Sequence, residues 1–244
     1  MNAIDQIPDD FLDAVQGLNV AFDDGDVGRL GAFIDQLLET NRRFNLTGVK
    51  DPSQAWTRHI LDSLSLIPCL TEDGVEHVVD VGSGGGLPGI PLAITMPHIT
   101  FSLVESTKKK AMFLSDVALQ LGLDNVTVIA DRAENLATPD GGFRDIADAV
   151  IARAVGPLNV LLELTVPFAR VGGVVIAIKG EKASKEIENA NKALRLLHAE
   201  VESSIRTTTG TIVTIRKLAP TPRKYPRIAG EPKRVPLGHK VGNH

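Results

Sequence analysis

Cysteine is nearly absent: Cys69 is the only one in 244 residues. That excludes an intramolecular disulfide framework and a cysteine-rich metal site, and no metal is expected. Aromatic residues make up only 4%, and Trp56, Tyr225 and the phenylalanines are too scattered to form a base-stacking platform. No run of about 18 or more apolar residues occurs, so no helix is expected to span a membrane. The first residues are acidic and lack an apolar core behind basic residues, so no secretory signal is read and a cytoplasmic location is expected. Internal repeats are lacking too. What remains is ordinary. With 43% hydrophobic and 23% charged residues, the chain suits one large α/β domain, or one domain with an appendage, and can bury its own core.

Net charge is −4, which taken alone argues against a nucleic-acid partner. The distribution says otherwise. Residues 1–30 hold Asp5, Asp9, Asp10, Asp13, Asp23, Asp24 and Asp26 against Arg29. Residues 216–244 hold Arg216, Lys217, Arg223, Lys224, Arg227, Lys233, Arg234 and Lys240 against Glu231. Such polarity suits a basic tail that meets phosphates, or one that is simply solvated. No role is read for the acidic start.

Residues 8–70 read as helical. Leu30, Phe33, Ile34, Leu37 and Leu38 share one helix face, and a second helix near 53–66 opens after Asp51-Pro52. From residue 77 short apolar runs alternate with helices. The strand candidates are 77–81, 100–104, 125–130, 148–153 and 173–179, separated by helices near 88–96, 107–122, 157–170 and 181–198. This order predicts βαβ units and a parallel sheet. Candidates near 200–206 and 211–217, joined through Gly210, predict an antiparallel pair. After Ala219 the prolines at 220, 222, 226, 232 and 236 predict an extended arm.

The run Val78-Val79-Asp80-Val81-Gly82-Ser83-Gly84-Gly85-Gly86 is a strand entering a glycine turn, with Leu87-Pro88 opening a helix. Glycines let a ligand approach the backbone, and a helix start offers unpaired N–H groups. The dinucleotide pattern G-x-G-x-x-G fails at Leu87, and no phosphate-binding G-x-x-x-x-G-K-[ST] is present. Asp80 at the loop entrance would sit awkwardly beside pyrophosphate but suits a cationic ligand carrying an ammonium and a sulfonium. Glu105 at the end of the second strand can accept two ribose hydroxyls. Asp131-Arg132-Ala133-Glu134 follows the third strand and can hold an adenine edge.

These features resemble the first motif of class I methyltransferases. The likeness is closer to one family. Asn45-Leu46-Thr47, Arg58-His59-Ile60-Leu61-Asp62-Ser63 and the run from Asp80 through Pro91 are similar to the ribosomal small-subunit methyltransferase G family, also called glucose-inhibited division protein B. Lys108-Lys109-Lys110 with Phe113-Leu114, Arg132-Ala133-Glu134, Ile151-Ala152-Arg153-Ala154, Lys179-Gly180 and Tyr225-Pro226-Arg227 continue it, over roughly residues 30–237. The resemblance implies an α/β, Rossmann-like class I methyltransferase fold. Its seven-stranded, mostly parallel sheet would carry an antiparallel C-terminal hairpin and follow N-terminal helices. The expected organisation is a helical cap at 1–70, a cofactor-binding domain at 71–219 and a basic proline-rich tail at 220–244. The cofactor implied is S-adenosyl-L-methionine, and the reaction is methylation of N7 of a guanine in the 530 loop of 16S ribosomal RNA. Gly82, Leu87, Ala133, Glu134 and Arg153 carry over as cofactor contacts; Asp80, Gly84 and Glu105 join them from the residue-level reading.

Guanine N7 carries an in-plane lone pair and needs no deprotonation, so proximity can supply most of the catalysis. Accordingly no nucleophile or general base stands out, and no Asn/Asp-Pro-Pro-aromatic tetrad is present. Cys69, after Pro68, reads as a core residue. His59, Asp62, Arg153 and Lys179 are the candidates to face the substrate, although helix-surface pairs or ion pairs would account for them equally. The partner expected is 16S ribosomal RNA or the small ribosomal subunit, met by a monomer. Three alternatives stay open: a class I methyltransferase acting on another RNA or a small molecule, a nucleotide-binding oxidoreductase, and a non-catalytic ribosome-binding protein.

Overall fold

The computed structural model describes residues 2–71 and 74–238. Lys240 and the rest of 239–244, counted in the expected tail, lie outside the described residues. The strands are β1 (His77–Val81), β2 (Thr100–Val104), β3 (Val126–Ile129), β4 (Ala147–Arg153), β5 (Ala169–Lys179), β6 (Ala199–Arg206) and β7 (Thr211–Lys217). They form one seven-stranded sheet in the order β3-β2-β1-β4-β5-β7-β6. β4 pairs in parallel with β1 and β5, β3 with β2, and β7 runs antiparallel to both β5 and β6. The expected mostly parallel sheet with a reversed terminal hairpin is therefore present.

The helices are α1 (Phe11–Gln16), α2 (Asp26–Asn41), α3 (Pro52–Ala55), α4 (Asp62–Leu64), α5 (Ile67–Leu70), α6 (Gly89–Thr95), α7 (Lys108–Gln120), α8 (Ala133–Leu136), α9 (Leu158–Thr165), α10 (Ala183–Leu197) and α11 (Glu231–Arg234). A π-helical segment, Trp56–Leu61, joins α3 to α4, so the helix expected near 53–66 is continuous but locally widened. The helix expected over 157–170 stops at Thr165. Pro167 has no N–H to donate and so cannot continue the helical ladder, and β5 begins at Ala169.

Two compact units divide the chain: Met1–Glu76 with Ser83–Ala130, and His77–Gly82 with Asp131–His244. In the first, the predicted stripe of α2 is the buried one. Leu30, Phe33, Ile34 and Leu37 are fully enclosed, while Leu38 at the stripe's edge is half-buried. The acidic start acquires a structural role here. Trp56 donates its indole N–H to the Ala3 carbonyl at 2.8 Å, and Phe11 meets its ring edge-on at 4.9 Å. Cys69, expected in the core, is half-buried, because α5 turns Ile67 and Leu70 inward instead. α6 packs on β2 and α7 on β3.

In the second unit β7 is almost wholly buried, whereas β6 alternates and ends exposed. The apolar strand therefore takes the interior place beside β5 and the polar one takes the edge, where charged side chains discourage further pairing. Lys217 is the first departure from the expected basic tail. It is buried on β7, where its ammonium meets Asp145 and donates to the carbonyls of Ala169 at 2.8 Å and Val166 at 3.2 Å. Burial pushes its pKa down, and the bond to Asp145 partly offsets that. The tail departs further. It is not a free arm: α11 interrupts it, and Tyr225, Pro226, Pro232 and Leu237 are buried. Among the described residues no helix is long and apolar enough to cross a membrane.

Asn125 shows how the first unit closes. Its amide donates to the carbonyls of Ala93 at 3.1 Å, Met96 at 3.4 Å and Ile99 at 3.0 Å, so one side chain serves the end of α6 and the approach to β2. Asn125→Ala would strand those acceptors at a cost of about 1–3 kcal/mol. The expected result is a lower urea midpoint with an unchanged slope; an unchanged midpoint would refute the account.

Candidate functional site

The glycine loop begins in the second unit and continues in the first. In the second, β1 ends with Asp80 fully buried, and the chain turns at Gly82 with φ +75°. A Cβ there would lie 3.0 Å from Val155 Cγ2, so the loop after β4 excludes a side chain. Arg153 closes β4 in register with Ile178 of β5.

Lys179 ends β5. Its ammonium donates to Gly156 O at 2.6 Å and pairs with Glu186 Oε2 at 2.6 Å. The same Glu186 oxygen accepts the N–H of Leu158, at the start of α9, at 2.9 Å. Lys179 thus spends two of its three N–H donors holding the segment from Gly156 to Leu158. On α8, Ala133 and Glu134 are buried, and Glu134 Oε1 accepts the Gly230 N–H at 2.8 Å.

In the first unit, Glu105 directly follows β2 and is 6% exposed. Its Oε2 accepts the Gly84 N–H at 3.0 Å and its Oε1 the Thr107 N–H at 2.6 Å. Ser83 N–H donates to Val104 O at 3.2 Å, and Gly86 and Leu87 fold back onto Ser83 O at 2.7 and 3.2 Å. The loop is thereby pinned to the end of β2. A carboxylate accommodates about four hydrogen bonds, so Glu105 can clamp the loop and still accept hydroxyl donors. The sequence suggested only the second task.

The opposite wall is built by residues the sequence left without roles. A Cβ at Gly85 would lie 2.9 Å from Leu37 Cδ1 and 3.4 Å from Leu46. Leu46 is held there because Asn41 Oδ1 accepts the N–H groups of Leu46 at 2.7 Å and Thr47 at 3.0 Å, while its amide donates to Thr47 O at 2.9 Å. His59 finishes this brace. Its Nδ1 lies 3.0 Å from Arg58 O, which can only accept, so Nδ1 carries a hydrogen; Nε2 is 2.6 Å from Thr47 Oγ1. That hydroxyl also accepts the Val49 N–H at 3.1 Å. His59 and Asp62 are both buried, His59 in the π-helical segment and Asp62 at the start of α4.

Gly86 tests the loop directly. At φ +86°, a Cβ would fall 2.7 Å from Ile90 Cγ1 and 3.1 Å from Leu114 Cδ2. Gly86→Ala combines left-handed strain with that clash, each costing on the order of 1–3 kcal/mol. A clearly lower thermal midpoint is expected, and an unaltered one would contradict the loop geometry.

With this geometry in hand, comparison with known proteins separates the remaining readings. A family model described as rRNA small subunit methyltransferase G matches residues 27–217. Ribosomal RNA small subunit methyltransferase G of Sorangium cellulosum (strain So ce56) is 44% identical over 222 residues, covering 90% of this chain and 91% of its own length. The protein of that name from Alkaliphilus oremlandii is 36% identical over 238 residues, covering 95% and 99%. Among solved structures, a SAM dependent methyltransferase from Aquifex aeolicus superposes with a TM-score of 0.54 at 14% identity, covering 76% of this chain and 98% of its own. That likeness establishes the fold alone. The sequence similarity reaches further, since it runs through the braced Asn45–Thr47 loop, the glycine turn and both strands that carry buried acids: the chain belongs to the rRNA small subunit methyltransferase G family.

Proposed function

We propose that this protein transfers a methyl group from S-adenosyl-L-methionine to N7 of a guanine in the 530 loop of 16S ribosomal RNA. The observation that carries the reading is the family match across residues 27–217, within which the glycine loop is pinned by an acid that retains acceptor capacity. The donor set suits the cofactor chemically. Asp80 would receive the ammonium, Glu105 the ribose hydroxyls and Glu134 the adenine edge, while Gly82, Gly84, Leu87 and Ala133 let the ligand lie against backbone. Arg153, ending β4, would contact either cofactor or target base. When bound, the cofactor supplies an electrophilic methyl group on a sulfonium.

The protein's share of the reaction is placement. Guanine N7 offers an in-plane lone pair from which no proton has to be removed, so the residues named would hold the sulfonium methyl group in line with it and need supply no base. A site that aligns the two atoms and excludes water therefore suffices. His59 and Lys179, once candidates to face substrate, act in this reading as positioning residues. His59 holds the wall beside Gly85, and Lys179 holds the segment after β4. Residues 71–219 carry the cofactor, residues 1–70 cap it, and the protein works as a cytoplasmic monomer.

Borohydride–aniline cleavage maps N7-methylguanine in 16S RNA. In cells lacking the gene, cleavage at one guanine of the 530 loop should disappear and return with the wild-type gene; persistence in the deletion would overturn the assignment. Glu105→Gln replaces one acceptor oxygen by an NH2 group facing a backbone N–H. Calorimetric affinity for S-adenosyl-L-methionine should fall at least about tenfold, roughly 1.4 kcal/mol. Unchanged affinity would remove Glu105 from the site.

A further inference from the structure

The residues after β7 should not hold a shape of their own: prolines at 220, 222, 226, 232 and 236 deny them a regular backbone ladder. They are held instead by side chains from elsewhere in the second unit. Arg144 donates to the carbonyls of Thr221, of Tyr225 at 2.8 Å and of Ala137 at 2.9 Å, joining this segment to the end of α8. Glu163, an acid with no exposed surface in the middle of apolar α9, receives Arg227 three times. Its Oε1 accepts the backbone N–H at 2.9 Å and Nε at 2.8 Å, and its Oε2 accepts Nη2 at 2.6 Å. These bonds raise the Arg227 pKa against the opposing effect of burial. Arg227 Nη2 also reaches Val235 O at 2.8 Å, Asn159 holds Leu237 O at 3.1 Å, and Glu134 holds the Gly230 N–H. A buried carboxylate is costly unless so paired, so Glu163 makes this docked arrangement strongly preferred.

What the docked segment turns outward differs in kind. Arg223, Lys224, Lys233 and Arg234 are exposed, as is Ile228 at 76%, in a protein whose net charge is negative. Arg223 lies 4.0 Å from Asp140, both solvated, and Lys224 sits over the Tyr225 ring at 5.3 Å. Cations on a fastened backbone lose less freedom on binding than cations on a loose arm. Guanidinium groups in particular suit phosphate oxygens.

We propose that Thr221–Gly238 is a preformed docking surface for ribosomal RNA. Arg223, Lys224, Lys233 and Arg234 meet backbone phosphates and Ile228 packs on the apolar face of an unpaired base. Glu163–Arg227 and Glu134–Gly230 set its position. The inference rests on the ribosomal RNA reading above and gives that reading a substrate surface. It also replaces the expected extended basic arm: Lys217 and Arg227 belong to the fold, and the outward cations are a smaller set. Because Glu134 is also the residue assigned to the adenine edge, the surface is registered to the cofactor through one carboxylate.

The test uses the full-length protein carrying R223A/K224A/K233A/R234A, with Ile228→Ser and Arg227→Lys as separate variants. Binding to 16S RNA is measured against salt, alongside methyl transfer and affinity for S-adenosyl-L-methionine. For the fourfold variant the log–log salt slope should flatten by up to about 3, from roughly 0.7 per lost single-strand phosphate contact. KM for RNA should rise at least tenfold with cofactor affinity retained. Ile228→Ser should raise KM without altering the slope. Arg227→Lys keeps the charge but cannot span both Glu163 oxygens, so KM for RNA should rise; a lower melting temperature with unchanged KM would reduce the pair to a structural role and overturn its positioning part. Wild-type slope and KM in the fourfold variant would overturn the surface while leaving RNA methylation standing. Failure of wild-type protein to label any ribosomal RNA would instead sink the function itself. Normal binding of the fourfold variant to free RNA, with lost binding to the assembled subunit, would point to a ribosomal protein and overturn RNA as occupant.

Discussion

Glu105 accepts two backbone N–H groups at once, from Gly84 at 3.0 Å and Thr107 at 2.6 Å, and the loop between β1 and α6 depends on that bond pair. A glycine turn has many accessible backbone states, and losing them on folding is costly. A charged acceptor at the end of the neighbouring strand selects one. Hydrogen bonds to an ionised acceptor are stronger than neutral ones and gain further in a water-poor setting. Leu37 and Leu46 then close the far side of Gly85. The loop can stay glycine-rich, as approach of a ligand demands, without being slack.

The same device recurs at each functional element. Asn41 and His59 hold the Leu46–Thr47 corner, Lys179 and Glu186 hold the segment after β4, and Glu163 with Arg227 holds the C-terminal segment. Asn41, Lys179, Glu186 and Glu163 each reach backbone groups from a regular element, and His59 reaches the Thr47 hydroxyl. Buried polar groups need partners, and irregular backbone has N–H and C=O groups to offer. Several residues that carry the family's motifs are thus braces. His59 and Lys179, read from the sequence as candidates to face the substrate, bond to Thr47 and to Gly156 and Glu186 respectively.

Charge shows a similar division. The basic run beginning at Arg216 suggested one electrostatic tail. The fold sorts it by partner: Lys217 lies against Asp145, Arg216 against Glu202 at 2.8 Å and Arg227 against Glu163, while Arg223, Lys224, Lys233 and Arg234 stay in solvent. Among the described residues of this run, the last group is the exposed one.

Strand positions were legible because short apolar runs bounded by Gly, Pro and acids leave a buried parallel strand few alternatives. β1, β2 and β7 fall where the pattern puts them. Asp80 and Glu105 were legible for a related reason, since an acid at a strand's end lies at the sheet's carboxyl edge, and Glu134 stood out as part of the Asp131–Glu134 run that follows β3. What each acid does was not legible. Glu105 reaches Gly84 across 21 positions, Glu163 reaches Arg227 across 64 and Glu134 reaches Gly230 across 96. Glu163 left one trace, an acid inside an otherwise apolar helix, but nothing local names its partner. The sequence by itself determined the alternation of elements, the glycine turn and the acids beside it, because these follow from neighbouring residues and periodicity. Tertiary structure alone decided which polar groups meet solvent or ligand and which are consumed in holding the backbone, because a hydrogen bond depends on distance in space and not on order along the chain.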